Sequence, residues 1–139
     1  MSLVKVVPAW MHGVGDYGAG LALIVVALAV GGTRRAVATG VVLGLGWLVV
    51  SLLTRYPLGA IKAIPFRVHS SGDYLASVLL IVAPFALDFY DLNKGLSAFY
   101  IVVGAVVILL SLVTDYDDPE VTLAGDMKRS RRTLQQASR

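Results

Sequence analysis

The sequence predicts an all-α, polytopic membrane protein with four transmembrane helices, arranged as two tandem helical hairpins that form a parallel repeat. Three observations lead to this fold class. Hydrophobic residues make up 57% of the 139 positions, and the mean hydropathy is +0.76, which is typical of membrane proteins. Four apolar stretches each approach the roughly 20 residues that a helix needs to cross hydrocarbon. One motif also occurs twice, in the first and third stretches.

The four apolar stretches cover residues 9–30, 36–53, 66–87 and 96–113. Because alternating strand patterns are absent, we predict that each stretch is a helix rather than a strand of a barrel. The first stretch could be taken for a secretory signal. It carries His12 and Asp16 and is repeated internally, so we assign it to the mature protein.

The repeated motif reads P-x3-H-x2-G-D-Y-x-A and begins at Pro8 and again at Pro65, 57 positions later. It contains both histidines of the chain. A second match links residues 44–56 to residues 104–116 at an offset of 60. We therefore predict a first hairpin over residues 1–57, a second over 58–116 and a polar tail over 117–139.

Basic residues predict the orientation. With four spans, the N-terminus, the connection between the second and third spans, and the C-terminal tail share one side, which holds nine of the 12 lysines and arginines. The positive-inside rule then places both termini in the cytoplasm. The basic end of the tail is predicted to bind anionic lipid headgroups, with a partner protein as the alternative and no role for nucleic acid. Its residues are Lys128, Arg129, Arg131 and Arg132.

The most unusual residues are two His/Asp pairs inside predicted spans. His12 and Asp16 lie one helical turn apart on one face, and His69 and Asp73 repeat that spacing. The parallel repeat places all four, which we call the His/Asp quartet, in the same cytoplasmic half of the membrane. They converge if the first and third spans face each other. Ionisable residues inside a span usually face the bundle interior and mark function.

Four interpretations of the quartet remain open from the sequence. Each histidine pairs with its own aspartate for structural reasons, or the quartet holds a divalent metal ion, or a haem or chlorophyll-type pigment, through His12 and His69. The third interpretation is a proton or ion relay, which suits histidine because it titrates near neutral pH. The fourth is acid and base catalysis, for which the sequence offers no nucleophile or substrate motif.

Two further sets of residues have predicted roles. Tyr17 and Tyr74 directly follow the repeated aspartates and could donate hydrogen bonds into the site. Gly40 and Gly44 form a G-x3-G pattern on the second span, which predicts close helix packing within the chain rather than a dimer interface.

Residues 53–89 resemble the small bacterial membrane proteins named for the SPW repeat. The resemblance rests on Ile64, Pro65, Arg67, His69 and Asp73, which fit the I-P-x-R-x-H entry of that family and the aspartate that follows it. The S-P-W tripeptide itself is replaced by Ala-Pro-Phe at residues 83–85. The resemblance implies a four-helix protein of the bacterial cytoplasmic (inner) membrane without a settled activity.

Together these observations predict a non-catalytic integral membrane protein. It would be an accessory or cofactor-binding component, acting alone, as a homo-oligomer or within a larger membrane complex. The quartet would form one pseudo-symmetric site near the cytoplasmic face. The alternative function is a small proton- or ion-coupled channel or transporter that uses the quartet as a relay.

Overall fold

A computed structural model describes residues 6–116 and 134–136, and in that part of the chain the protein is a bundle of four long helices. They are α1 (Ala9–Val30), α2 (Arg34–Leu53), α3 (Phe66–Ala86) and α4 (Lys94–Val113). All four are long and apolar enough to cross a membrane, so the predicted fold class is confirmed. The predicted tail, over residues 117–139, falls almost wholly outside the described residues.

Prolines start the two helices that carry the repeated motif. Pro8 and Pro65 precede α1 and α3 in extended conformation, and their carbonyl oxygens accept the first helical hydrogen bonds, including those from the amides of His12 and His69. A proline is well tolerated at a helix start because the missing N–H would have no helical partner there. The two histidines are thereby fixed one turn inside their helices.

Each hairpin is packed through a small residue on either side. α1 packs against α2, and α3 packs against α4. A methyl group on Gly44 would lie 2.7 Å from the carbonyl oxygen of Gly20, and one on Gly104 would lie 2.8 Å from that of Ser77. Gly40 faces α1 as well, against Leu23 and Ala27. These positions let the two backbones of each hairpin approach more closely than larger residues would.

The two hairpins are joined by the same backbone contacts at two places. The Ile64 amide donates to the Leu53 carbonyl at 2.8 Å, and the Arg55 amide donates to Ile64 at 2.8 Å. At the second place, the Val7 amide donates to the Val113 carbonyl at 3.0 Å, and the Asp115 amide donates to the Val7 carbonyl at 2.9 Å. We call these two places the junctions, and the end of the bundle that holds them the junction end. The end of α4 therefore meets the start of α1 as the end of α2 meets the start of α3.

The buried core has two parts with a polar layer between them along α1 and α3. The larger apolar cluster occupies the half of the bundle away from these junctions and includes Leu23, Leu80 and Tyr100. The smaller one lies at the junction end and consists of Ala9, Tyr56, Phe66 and Tyr116, which we call the aromatic layer. The quartet lies between the two clusters, so it is closed off by apolar side chains on both sides.

Candidate metal centre

The His/Asp quartet converges in the centre of the bundle. His12 and Asp16 come from α1, and His69 and Asp73 come from α3, with relative exposures between 0% and 3%. Each residue offers one ligand atom, and these four atoms all lie within 4.8 Å of one another. The i, i+4 spacing aligns each pair on one face of its helix, and the parallel course of α1 and α3 makes the two pairs face each other.

The contacts within the quartet cross from one repeat to the other. His12 Nε2 lies 3.1 Å from Asp73 Oδ2, and His69 Nε2 lies 2.9 Å from Asp16 Oδ2. The distances within each repeat are longer, at 3.5 Å from His12 Nε2 to Asp16 Oδ1 and 3.2 Å from His69 Nε2 to Asp73 Oδ1. Histidines and carboxylates thus alternate around a closed ring. Each carboxylate directs one oxygen at His12 Nε2 and the other at His69 Nε2.

Two threonines fix the orientation of the imidazoles, again across the repeats. His12 Nδ1 lies 2.9 Å from Thr114 Oγ1, and His69 Nδ1 lies 2.9 Å from Thr54 Oγ1. Each threonine hydroxyl already donates to the carbonyl four residues earlier on its own helix, at 2.7 Å. The threonine oxygen can therefore only accept from the imidazole, so each histidine carries a proton on Nδ1.

This assignment leaves both Nε2 atoms directed at the carboxylates. A neutral imidazole with its proton on Nδ1 has a lone pair on Nε2, which a carboxylate oxygen at about 3 Å would repel. Two carboxylates this close together in a buried site also repel each other. The quartet therefore calls for two positive charges, supplied either by two protons or by one divalent cation.

One carboxylate oxygen has no hydrogen-bond donor among the described residues. Asp16 Oδ1 is buried and accepts no hydrogen bond there, although His12 Nε2 is 3.5 Å away. The equivalent oxygen, Asp73 Oδ1, lies 3.2 Å from His69 Nε2, and Ser111 Oγ donates to the other oxygen of Asp73 at 3.5 Å. A buried carboxylate oxygen without a donor is costly unless something else binds it.

The aromatic layer covers the quartet on the junction side. The Phe66 ring lies 5.5 Å from the His12 ring and 4.6 Å from the Tyr116 ring, and Tyr56 stacks on Phe66 at 5.7 Å. Burial raises the pKa of Tyr116 to about 12 and raises that of Tyr56 as well. Both phenols therefore stay neutral at physiological pH, and the layer adds no charge to the site.

The aromatic layer also breaks the symmetry of the two repeats. Tyr56 and Tyr116 are equivalent at the offset of 60, whereas Phe66 corresponds to Ala9 at the offset of 57. Phe66 and Ala9 are both buried. One large ring on the second repeat, facing a methyl group on the first, lets a single phenyl group lie over both histidines.

The other predicted site residues lie outside the quartet. The Tyr17 hydroxyl donates to the Leu58 carbonyl at 3.1 Å, so this hydrogen bond is directed at the connection between the repeats. Tyr74 is half-buried on α3. The four predicted lipid-binding residues of the tail lie outside the described residues.

Thr54 and Thr114 are the site residues that sequence reasoning did not assign. Both belong to the second internal match, where T-x-Y at 54–56 recurs at 114–116. The repetition of a polar residue at the end of an apolar span was the available signal. The role of these threonines depends on which histidine each one contacts, and only the packing of the two hairpins determines that.

Comparisons of this chain with protein-family models, with curated proteins and with solved structures find no match.

Proposed function

We propose that this protein is a non-catalytic component of a membrane that holds one divalent transition-metal ion in the His/Asp quartet. The observation that carries the proposal is the pair of threonine contacts. Because Thr54 and Thr114 hold the Nδ1 protons, both Nε2 lone pairs face the two carboxylates. Metal-binding histidines commonly donate their other N–H to a fixed acceptor, which orients the ring for the ion.

The ligand atoms are close enough together to converge on a small tetrahedral ion. A zinc ion with ligands at about 2.0–2.1 Å keeps neighbouring ligand atoms about 3.4 Å apart. Counting both oxygens of each carboxylate, each histidine Nε2 lies 2.9–3.5 Å from an oxygen of each aspartate, and with one ligand atom from each residue all four lie within 4.8 Å of one another. Two imidazoles and two carboxylates are also a donor set that suits zinc, and a divalent ion balances the two carboxylate charges.

An ion fits this site with less rearrangement than a pigment or a haem. The His12 and His69 rings are 5.7 Å apart, and both carboxylates of the quartet lie beside the Nε2 atoms. A flat macrocycle held through the two histidines would have to push α1 and α3 apart and displace the carboxylates. A single ion requires only that the four ligand atoms, which already lie within 4.8 Å of one another, move closer together.

The test is metal analysis of the full-length protein, purified in detergent, loaded with zinc and freed of excess metal. We expect about one zinc ion per chain in the wild type, and loss of most of it in both His12→Ala and His69→Ala. Ser97→Ala removes a buried hydroxyl at the other end of the bundle and should leave the zinc content unchanged. Wild-type protein that retains no zinc, or histidine variants that bind it as well as the wild type, would refute a zinc centre.

A second candidate function is a proton or ion relay through the same quartet. The observation that favours it is a line of buried polar side chains along one face of α3, namely His69, Asp73 and Ser77 at successive turns. Ser77 Oγ has no hydrogen-bond partner among the described residues, so it is available to a migrating proton. Two protons would neutralise the quartet as well as one divalent ion does.

The relay is tested in liposomes that contain a pH-sensitive dye. It predicts proton flux that Asp73→Asn abolishes and Ser77→Ala slows, with no metal retained through purification. Stable binding of one ion without flux would exclude the relay. Flux from protein that retains no metal would favour it over the metal centre.

The membrane, the orientation and the family are part of the same proposal. We propose the bacterial cytoplasmic membrane, with both termini and the quartet on the cytoplasmic side, and membership of the SPW-repeat proteins. The chain has no cysteine, so single cysteines report position without background labelling. Lys62→Cys, in the connection after α2, should be protected from an impermeant thiol reagent in intact cells, whereas Asp91→Cys, before α4, should be labelled.

A further inference from the structure

An apolar groove runs along the outside of the bundle between α2 and α3. Its volume is about 500 Å³, and its walls are almost entirely hydrocarbon. Ala38 and Val42 line it from α2, and Leu79, Val82 and Ala83 line it from α3. Val42, Leu79 and Val82 are each about half exposed or more, so the groove opens onto the surface that faces lipid in a membrane.

A basic side chain stands at the mouth of this groove. Arg35 lies in the first turn of α2 and is exposed. Its Nη1 atom donates to the carbonyl oxygen of Leu87, just beyond α3, at 3.1 Å. This contact holds the guanidinium at the end of the groove, and within the described part of the chain its other N–H groups are available to an anion.

The second repeat lacks this combination at the equivalent seam. At the offset of 60, Arg35 corresponds to Gly95, and the groove residue Thr39 corresponds to Phe99. Phe99 is partly buried and packs against the core. At these two positions the first repeat has a cation and a small side chain, where the second has a glycine and a large ring; the cation of the second repeat in this turn is Lys94, the equivalent of Arg34.

We propose that the groove binds one phospholipid, with part of an acyl chain between α2 and α3 and the phosphate at Arg35. From Arg35 to Val42 the groove runs for about 10 Å along the helix axis, which suits the upper part of an acyl chain. Basic pockets between transmembrane helices are a recurrent way to bind lipid headgroups. This site is on the opposite half of the bundle from the quartet and does not depend on a metal ion.

The test uses native mass spectrometry of the full-length protein after extensive delipidation in detergent. The wild type should retain one phospholipid per chain. Ala38→Phe fills the groove from an exposed position and should abolish retention. Ala98→Phe is the matched control, because Ala98 is the equivalent exposed alanine of the second repeat. Arg35→Gln should weaken retention of added phosphatidylglycerol about fivefold.

Three results would overturn the proposal. They are wild-type protein that retains no phospholipid, equal retention by Ala38→Phe and Ala98→Phe, and retention of diacylglycerol equal to that of phosphatidylglycerol. The last result would show that the groove binds hydrocarbon without using Arg35. Equal helical content of the two phenylalanine variants by circular dichroism keeps the comparison free of folding defects.

Discussion

The two repeats are nearly equivalent at the junction end of the bundle and differ at the opposite end. Around the quartet, each threonine lies 2.9 Å from a histidine of the other repeat and donates to its own helix at 2.7 Å. At the opposite end the equivalent positions hold different residues. Thr33 and Asn93 directly precede α2 and α4 there, and both the N–H and the hydroxyl of Thr33 donate to Asn93 Oδ1.

The two ends differ in how the contacts between the repeats are arranged. Each member of the quartet touches the other repeat, so a change in one copy disturbs a residue in the second copy. At the opposite end contacts also cross between the repeats, but among the described residues they do not form matched pairs: Thr33 donates to its own equivalent Asn93, and Arg35 donates to the carbonyl oxygen of Leu87. The site therefore keeps both copies alike, while the outer surface leaves each copy able to acquire its own chemistry, as Arg35 and Gly95 illustrate.

We expect the largest loss of stability when one carboxylate of the quartet is removed. Asp16→Ala and Asp73→Ala should each lower the free energy of unfolding in detergent by about 3–5 kcal/mol, because each leaves buried partners without their counter-charge. The two losses should agree, since the carboxylates are equivalent. Asp91→Ala is the control, because that side chain is 86% exposed. A large effect at one aspartate and a small one at the other would disprove the equivalence of the repeats.

The next effect concerns the threonines. Thr54→Val and Thr114→Val remove the acceptors of the Nδ1 protons, so each should cost about 1–3 kcal/mol of stability and weaken zinc binding about 10–100-fold. Zinc titration and chemical unfolding measure the two quantities, and serine at either position should retain both. Thr39→Val is a matched control, since Thr39 makes the same bond to its own helix, at 2.8 Å, without a histidine partner. Equal losses at positions 39 and 54 would mean that the histidine contact is unimportant.

Disturbing the helix packing within each hairpin should lower stability by as much as the threonine variants do, or by less. Gly44→Ala and Gly104→Ala place a methyl group 2.7–2.8 Å from a backbone oxygen, so we expect each to destabilise its hairpin by about 1–3 kcal/mol. Gly46→Ala serves as the control, because nothing lies within 4 Å of the added methyl group. Thermal unfolding in detergent distinguishes them. If Gly46→Ala were as destabilising as Gly44→Ala, close packing would not be the cause.

The smallest expected effect is at the end where the repeats differ. Asn93→Ala removes the acceptor of two hydrogen bonds from Thr33 and should cost about 1 kcal/mol. Lys94→Ala, which removes an exposed contact of 3.8 Å with Asp91, should leave the unfolding curve unchanged. An Asn93 effect as large as that of the quartet would reverse the ranking of the two ends.

The helices could be predicted from the sequence to within two residues at their ends. Length and apolarity suffice for a membrane helix, and the prolines mark the starts of α1 and α3. α2 and α4 begin two residues earlier than predicted, at Arg34 and Lys94. Long basic side chains can extend from a helix end toward water, so a charge need not end the span.

The candidate site could be predicted only in part. The repeat and the i, i+4 spacing identified the quartet, but the spacing alone favours a pair within each helix. In the structure His12 is closer to Asp73 than to Asp16, because the approach of α1 to α3 decides which carboxylate is nearest. Sequence spacing carries no information about that approach. The roles of Thr54 and Thr114 were missed for the same reason.

The matching backbone bridges at the two junctions mean that the four helices form a closed cycle. Thr54 pairs with Ile64 where the chain is continuous, and Thr114 pairs with Val7 where no peptide bond joins the repeats. The two junctions therefore have the same backbone pairing, whether or not the chain is continuous between the paired residues. A circular permutant opened in the connection over residues 57–63, with a linker from residue 116 to residue 6, should assemble the same centre. The same geometry would also let two separate copies of one hairpin associate into a four-helix bundle of this kind.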